Sequence, residues 1–242
     1  ETISDEYNTG TWDVYNSLNP GENENWFGNY KKGDPWILDE PTRTYNGIQF
    51  TFNKRMSNRW QLLASYVYSQ TKGTIDNGFG DDIGWTNTTD PNAWINRDGR
   101  TTVDPTHMVK LQGSYILPLD IWFNAYFSYI TGETWTKRIR TRLDQGRVTF
   151  FAEQRGSRRY DARVNLDLRL EKTFAIAQKY RIGAFMDIFN VFNTDTITSW
   201  GTRWGYDGEP RQYVPDAPGP DGHNVLGLVN PRAIRLGARF YF

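Results

Sequence analysis

Apolar and polar residues alternate with period two in segments spread along the chain, the pattern of strands whose two faces meet different surroundings. Tyr45 to Lys54 sets Ile48, Phe50 and Phe52 against Gln49, Thr51 and Asn53, and Trp60 to Gln70 places Leu62, Ala64, Tyr66 and Tyr68 on one face. His107 to Leu117 opposes Val109, Leu111 and Tyr115 to Lys110, Gln112 and Ser114, while Ile121 to Ile130 aligns Ile121, Phe123, Phe127 and Tyr129. The cleanest alternation lies in Ala162 to Thr173, with Val164, Leu166, Leu168 and Leu170 against Asn165, Asp167, Arg169 and Glu171. Lys179 to Phe189 follows. Arg232 to Phe242 closes the series, with Ile234, Leu236, Ala238, Phe240 and Phe242 on one face and Ala233, Arg235, Gly237, Arg239 and Tyr241 on the other.

The connections sort by length. Those after the first, third and fifth segments are short (Arg55 to Arg59, Pro118 to Asp120, Phe174 to Gln178), and those after the others are long (Thr71 to Thr106, Thr131 to Arg158, Asn190 to Pro231). Strict alternation is the signature of a transmembrane β-barrel, with short periplasmic turns at one end and long extracellular loops at the other. A soluble sandwich or jelly roll also uses many strands, but its loops need not sort in this way. The final segment has the roughly 10 residues that a tilted strand needs to cross a bilayer. If that strand runs inward from outside, all the short turns fall in the periplasm. The fold class expected is therefore all-β, an antiparallel transmembrane barrel portion over 45–242 with long extracellular loops. Residues 1–44 form an extracellular loop or an edge, with Thr11 to Leu18 a candidate eighth strand.

Composition narrows the classes. Aromatic content is 16%, formal net charge is zero and cysteine is absent from the 242 residues. A balanced chain without a basic stripe argues against nucleic acid as partner. No run of 18 apolar residues is present, so a membrane helix is not expected, although a barrel needs none. The absence of cysteine removes disulfide frameworks, zinc-thiolate sites and cysteine nucleophiles.

Four stretches resemble a known family: Trp60 to Ser69, Arg169 to Phe174, Asp187 to Thr194 and Pro231 to Phe242. They are similar to the C-terminal barrel strands of TonB-dependent outer-membrane receptors, most closely the Oar-like branch with a carboxypeptidase-regulatory-like domain. The resemblance implies a barrel of about 22 strands filled by an N-terminal plug, of which this chain is the C-terminal part. It further implies residence in the bacterial outer membrane and contact with its lipid. Substrate would bind loops and plug, and a TonB complex would act through a plug and TonB box that this sequence lacks. It also implies assembly by the barrel assembly machinery, with Phe240 and the terminal Phe242 as the signal read.

Candidate sites lie in the long connections. Trp85, Trp94, Trp135, Trp200, Trp204 and Tyr206 fall outside the strand cores on the extracellular side, where aromatic rings can stack on a ligand or simply pack loop on loop. Trp200, Trp204 and Tyr206 form the densest set. Asp76, Asp81 and Asp82 cluster around glycines as calcium ligands do, but the spacing fits no EF-hand and Asp76-Asn77-Gly78 is ordinary turn chemistry. No metal or cofactor is expected. His107 and His223 stand far apart, no nucleophilic triad or phosphate loop is legible, and Asp187 reads as part of a buried wall network. The function expected is substrate binding and active uptake rather than catalysis, for an extracellular ligand still to be identified. A small complete barrel serving as pore or adhesin and a soluble carbohydrate-binding sandwich stay open as alternatives.

Overall fold

The computed structural model describes residues 2–4, 11–13, 42–74, 91–102, 104–143, 146–176, 179–204 and 225–242. Seven long strands dominate it: β1 (Arg43–Ser57), β2 (Trp60–Gly73), β3 (His107–Leu117), β4 (Ile121–Ile130), β5 (Arg163–Ala175), β6 (Arg181–Phe189) and β7 (Ala233–Tyr241). Each pairs antiparallel with the next in chain order, so the sheet is a simple meander. Every alternating segment of the sequence is one of these strands. β1 and β2, at 15 and 14 residues, run on past the length a bilayer requires. Of the candidate eighth strand, Thr11–Asp13 pairs with Thr2–Ser4 in a separate ribbon, and residues 14–18 lie outside the described ones.

Register turns alternation into two chemically distinct faces. Ile234, Ile188, Leu168, Ala125, Gly113 and Leu62 stand side by side across six strands, and Leu236, Met186, Leu170, Phe123, Tyr115 and Trp60 form a parallel row. Between these rows, on the opposite face, run Arg235, Asp187, Arg169, Asn124, Ser114 and Gln61. A soluble sandwich would bury the apolar face beneath a second sheet. Here Leu236 stays 74% and Phe50 64% exposed, and no second sheet covers that face among the described residues. Rings mark both edges of the apolar band. Trp60, Tyr115 and Phe123 share a row near the short turns, while nearer the long loops Tyr66 stacks on His107 and Tyr68 meets it at a tilt, with Tyr66 Oη 2.9 Å from His107 Nδ1. Trp60 and Tyr68 are roughly 26 Å apart along β2 at about 3.3 Å per residue, close to the height of a lipid-facing band once tilt is allowed for.

Two of the short turns are tight. Asn58 and Arg59 have φ of 50° and 67°, and Leu119 and Asp120 have 66° and 57°, the left-handed pair whose twist matches that of hairpin strands. Compact apolar clusters lie elsewhere. Among the described residues the six buried hydrophobic ones, Trp135, Ile139, Val148, Phe150, Phe151 and Trp200, belong to the long connections. Those connections carry short strands of their own, including Arg138–Leu143 paired with Gly146–Phe151 and Ile197–Trp200 paired with Val225–Leu228.

Candidate functional site

The outer mouth is built around a buried charge. Asp104 is fully enclosed and receives Arg100 Nη1 at 2.8 Å, Arg159 Nη2 at 3.2 Å and the Thr71 backbone N–H at 2.9 Å. Arg159 also donates to the carbonyls of Asp104 and Gly132 and to the Thr106 hydroxyl. Burial lowers the Arg159 pKa from its ordinary value, with Arg100 adding to that effect and Asp104 opposing it. The cluster pins the first long loop, the top of β2 and the second long loop together. Close backbone approaches reinforce it: a Cβ on Gly99 would meet the Arg155 carbonyl, and one on Gly132 the Tyr160 carbonyl. The Thr134 hydroxyl donates to the Thr101 carbonyl beside them.

The tryptophans pack this mouth. Trp135 and Trp200, 6% and 7% exposed, meet edge-on at 5.5 Å, and Tyr160 lies 4.6 Å from Trp200. Trp94 is half-buried against Phe151. Trp94, Trp135 and Trp200 thus each pack against other rings of the long connections. The side chain of Trp204, together with Trp85, Tyr206, Asp76, Asp81 and Asp82, lies outside the described residues. Among the described residues no group of three His, Asp or Glu could hold a metal ion. Phe240 stacks on Tyr180 and Phe242 on the apolar face, with centroids 5.7 and 6.2 Å apart.

The polar face carries a charged wall. Asp187, 3% exposed, takes two hydrogen bonds from Arg235 at 2.7 and 2.8 Å and lies 3.5 Å from Arg169, which grips Glu171 at 2.7 Å. Arg169, Arg235 and Arg239 surround the Phe185 ring at 4.3, 6.0 and 5.3 Å. The partners of Asp187 sit on the two neighbouring strands, Arg169 on β5 and Arg235 on β7. Asn124 and Ser114 continue the wall sideways across β4 and β3, with Gln112 on their long-loop side and Trp122 nearer the short turns.

Above the wall, a recess of about 650 Å³ opens between the polar face of β4 to β6 and the base of the third long loop. Ser128, Arg163, Asn165 and Asp167 line its polar side, and Ile130, Phe189, Leu228, Val229 and Pro231 its apolar side. The base of the loop is tied down by Asn190, which donates to the carbonyls of Thr194 and Asn230, and by Thr194, which donates to the Val164 carbonyl. Sequence reading passed over Arg163, Asn165 and Asp167 as alternating polar residues, and Arg100, Asp104 and Arg159 as loop charges. Only the folding of distant loops onto the strands distinguishes them.

Two solved structures resemble this chain in fold. The ferric-catecholate import receptor Fiu from K12 E. coli matches with a TM-score of 0.45 and 13% identity over 83% of this chain and 21% of that one. The ferripyoverdine receptor of the outer membrane of Pseudomonas aeruginosa, bound to ferripyoverdine, matches with a TM-score of 0.44 and 12% identity over 83% of this chain and 20% of that one. The chain therefore spans about a fifth of the length of these receptors. No curated protein matches it. Residues 8–133, just over half of the 242, match the family model of the outer membrane beta barrel domain, and with its lipid-facing and polar faces now in view the chain belongs to that family, in the bacterial outer membrane.

Proposed function

We propose that this chain is the wall and outer mouth of a TonB-dependent receptor, binding a substrate at its extracellular end for active uptake across the outer membrane. The observation that carries the reading is the recess, a concave space of ligand size on the polar face just beneath an ordered mouth. A wall with lipid on one side and a charged, hydrogen-bonded surface on the other suits passage of a polar solute. The sequence resemblance in Trp60 to Ser69, Arg169 to Phe174, Asp187 to Thr194 and Pro231 to Phe242 supports the same reading. The chain acts by binding and passage, without catalysis. The TonB complex acts through the N-terminal plug of the receptor, and insertion is by the barrel assembly machinery.

The test compares wild-type, receptor-deleted and TonB-deleted cells for uptake of labelled iron chelates, oligosaccharides and peptides. The expected result is at least one solute whose uptake is lost in both deletions and restored by the receptor gene. Receptor-dependent entry that persists without TonB would make the protein a passive pore and overturn the reading.

A further inference from the structure

We propose that the recess binds a short zwitterionic peptide, its carboxylate on Arg163 and its ammonium group on Asp167. This deepens the receptor reading and rests on it. Arg163 and Asp167 stand on the same face of β5 with Asn165 between them, roughly 13 Å apart at about 3.3 Å per residue, and all line the recess. An extended peptide advances at most about 3.3–3.6 Å per residue. Three residues plus their charged ends match that span once the reach of the arginine is included.

The charges retain capacity for a ligand. Among the described residues, Asp167 accepts one hydrogen bond, from the Asn190 backbone N–H at 2.9 Å to Oδ1, leaving Oδ2 for an ammonium group. Arg163 meets Glu133 at 3.5 Å, with both side chains well exposed at 38% and 45%. An exposed pair of that length is weak, and a guanidinium carries five donors. Asn165, midway, offers both a donor and an acceptor to a peptide group. Apolar walls from Ile130, Leu228 and Val229 suit aliphatic side chains.

The alternatives fit less well. Sugars are usually held on an open aromatic face, yet Phe189 has Arg235 over its ring at 5.2 Å, and Trp135 and Trp200 are buried in the mouth. A strongly anionic ligand would meet Asp167, and a strongly cationic one Arg163.

The full-length protein, purified in detergent, is titrated calorimetrically with alanyl-leucyl-alanine, with the same peptide acetylated and amidated, and with maltotriose. The free peptide should bind at least about tenfold more tightly than the blocked one, the scale of losing a charge-assisted contact. R163Q and D167N should each weaken the free peptide by about tenfold and leave the blocked one unchanged. Both variants keep hydrogen-bonding groups in place, and heat-modifiable gel mobility verifies their fold. Equal binding of free and blocked peptide, absence of peptide binding by the folded protein, or preference for maltotriose would overturn the proposal. The uptake assay stands apart: TonB-dependent entry of another solute with no peptide binding would sink the peptide and spare the receptor.

Discussion

Gly237 shows how one residue shapes the wall. A Cβ there would run into the Phe185 ring, so the ring lies over the glycine in the cross-strand pair and offers itself to Arg169, Arg235 and Arg239. Gly237→Val should displace the ring and cost about 1–3 kcal/mol, the range for overpacking, measured as a shift in the urea midpoint of refolding into bilayers. An unchanged midpoint would show that Phe185 can move without loss. Asp104 is the corresponding residue in the mouth. Asp104→Asn leaves the Arg100 and Arg159 guanidiniums facing an amide in an enclosed site, a loss in the range of about 3–5 kcal/mol for breaking a buried pair, reduced because both arginines are partly exposed. The loops should loosen before the barrel does. Limited proteolysis of detergent-purified protein should cut the first and second long loops faster in the variant while the strands stay intact, and an identical digestion pattern would remove the pin.

Strands here are defined by what each face touches. On β5, Leu168 sits within a row of apolar neighbours and Asp167 points to the polar recess. Arginine on the lipid face of a barrel costs about 2–4 kcal/mol at the bilayer midplane and far less in the lumen. Leu168→Arg should therefore impair refolding into bilayers much more than Asp167→Asn, and equal effects in a refolding titration would reverse the faces. The long connections follow a different rule. Phe150 packs on Ile139 and Val148, Phe151 on Trp94, and Trp135 on Trp200, so these loops gain order from burying apolar surface as a soluble protein does. The strands gain theirs from ladders of hydrogen bonds between two unlike environments.

Across the molecule, each of the three short turns faces one end and each long connection the other. In a chain without cysteine, single cysteines report that arrangement directly. Asp161→Cys, in an exposed stretch of the second long loop, should react with an impermeant maleimide on intact cells, whereas Leu119→Cys, 76% exposed in a short turn, should react only after the outer membrane is opened. The opposite pattern would invert the topology. Six reversals also leave β1 and β7 running the same way, so these two edges cannot complete an antiparallel ladder with each other. Closing the barrel by antiparallel pairing takes an odd number of further strands between them.

Period-two alternation was enough to locate all seven strands, and connection length to sort their joins between the two ends of the sheet, because both follow from local geometry: a side chain points up or down according to its place in the strand, and a hairpin turn or a surface loop is short or long in the chain itself. Strand ends were less legible. β1 and β2 extend beyond the alternating stretches because their ladder runs on to Arg43–Gly73 at the long-loop end and to Ser57–Trp60 at the turn, and backbone pairing needs no alternation of side chains. The mouth was hardest to read. Trp135 and Trp200 carry the same residue type whether they greet a ligand or fill a core, and their burial depends on a second loop arriving to cover them. Asp104 meets Arg159 across 55 positions, and Asp187 meets Arg235 across 48. Nothing local marks such pairs, since a charge is stabilised by whatever the register and the loops bring to it, and that is decided only when strands far apart in the chain have been laid side by side.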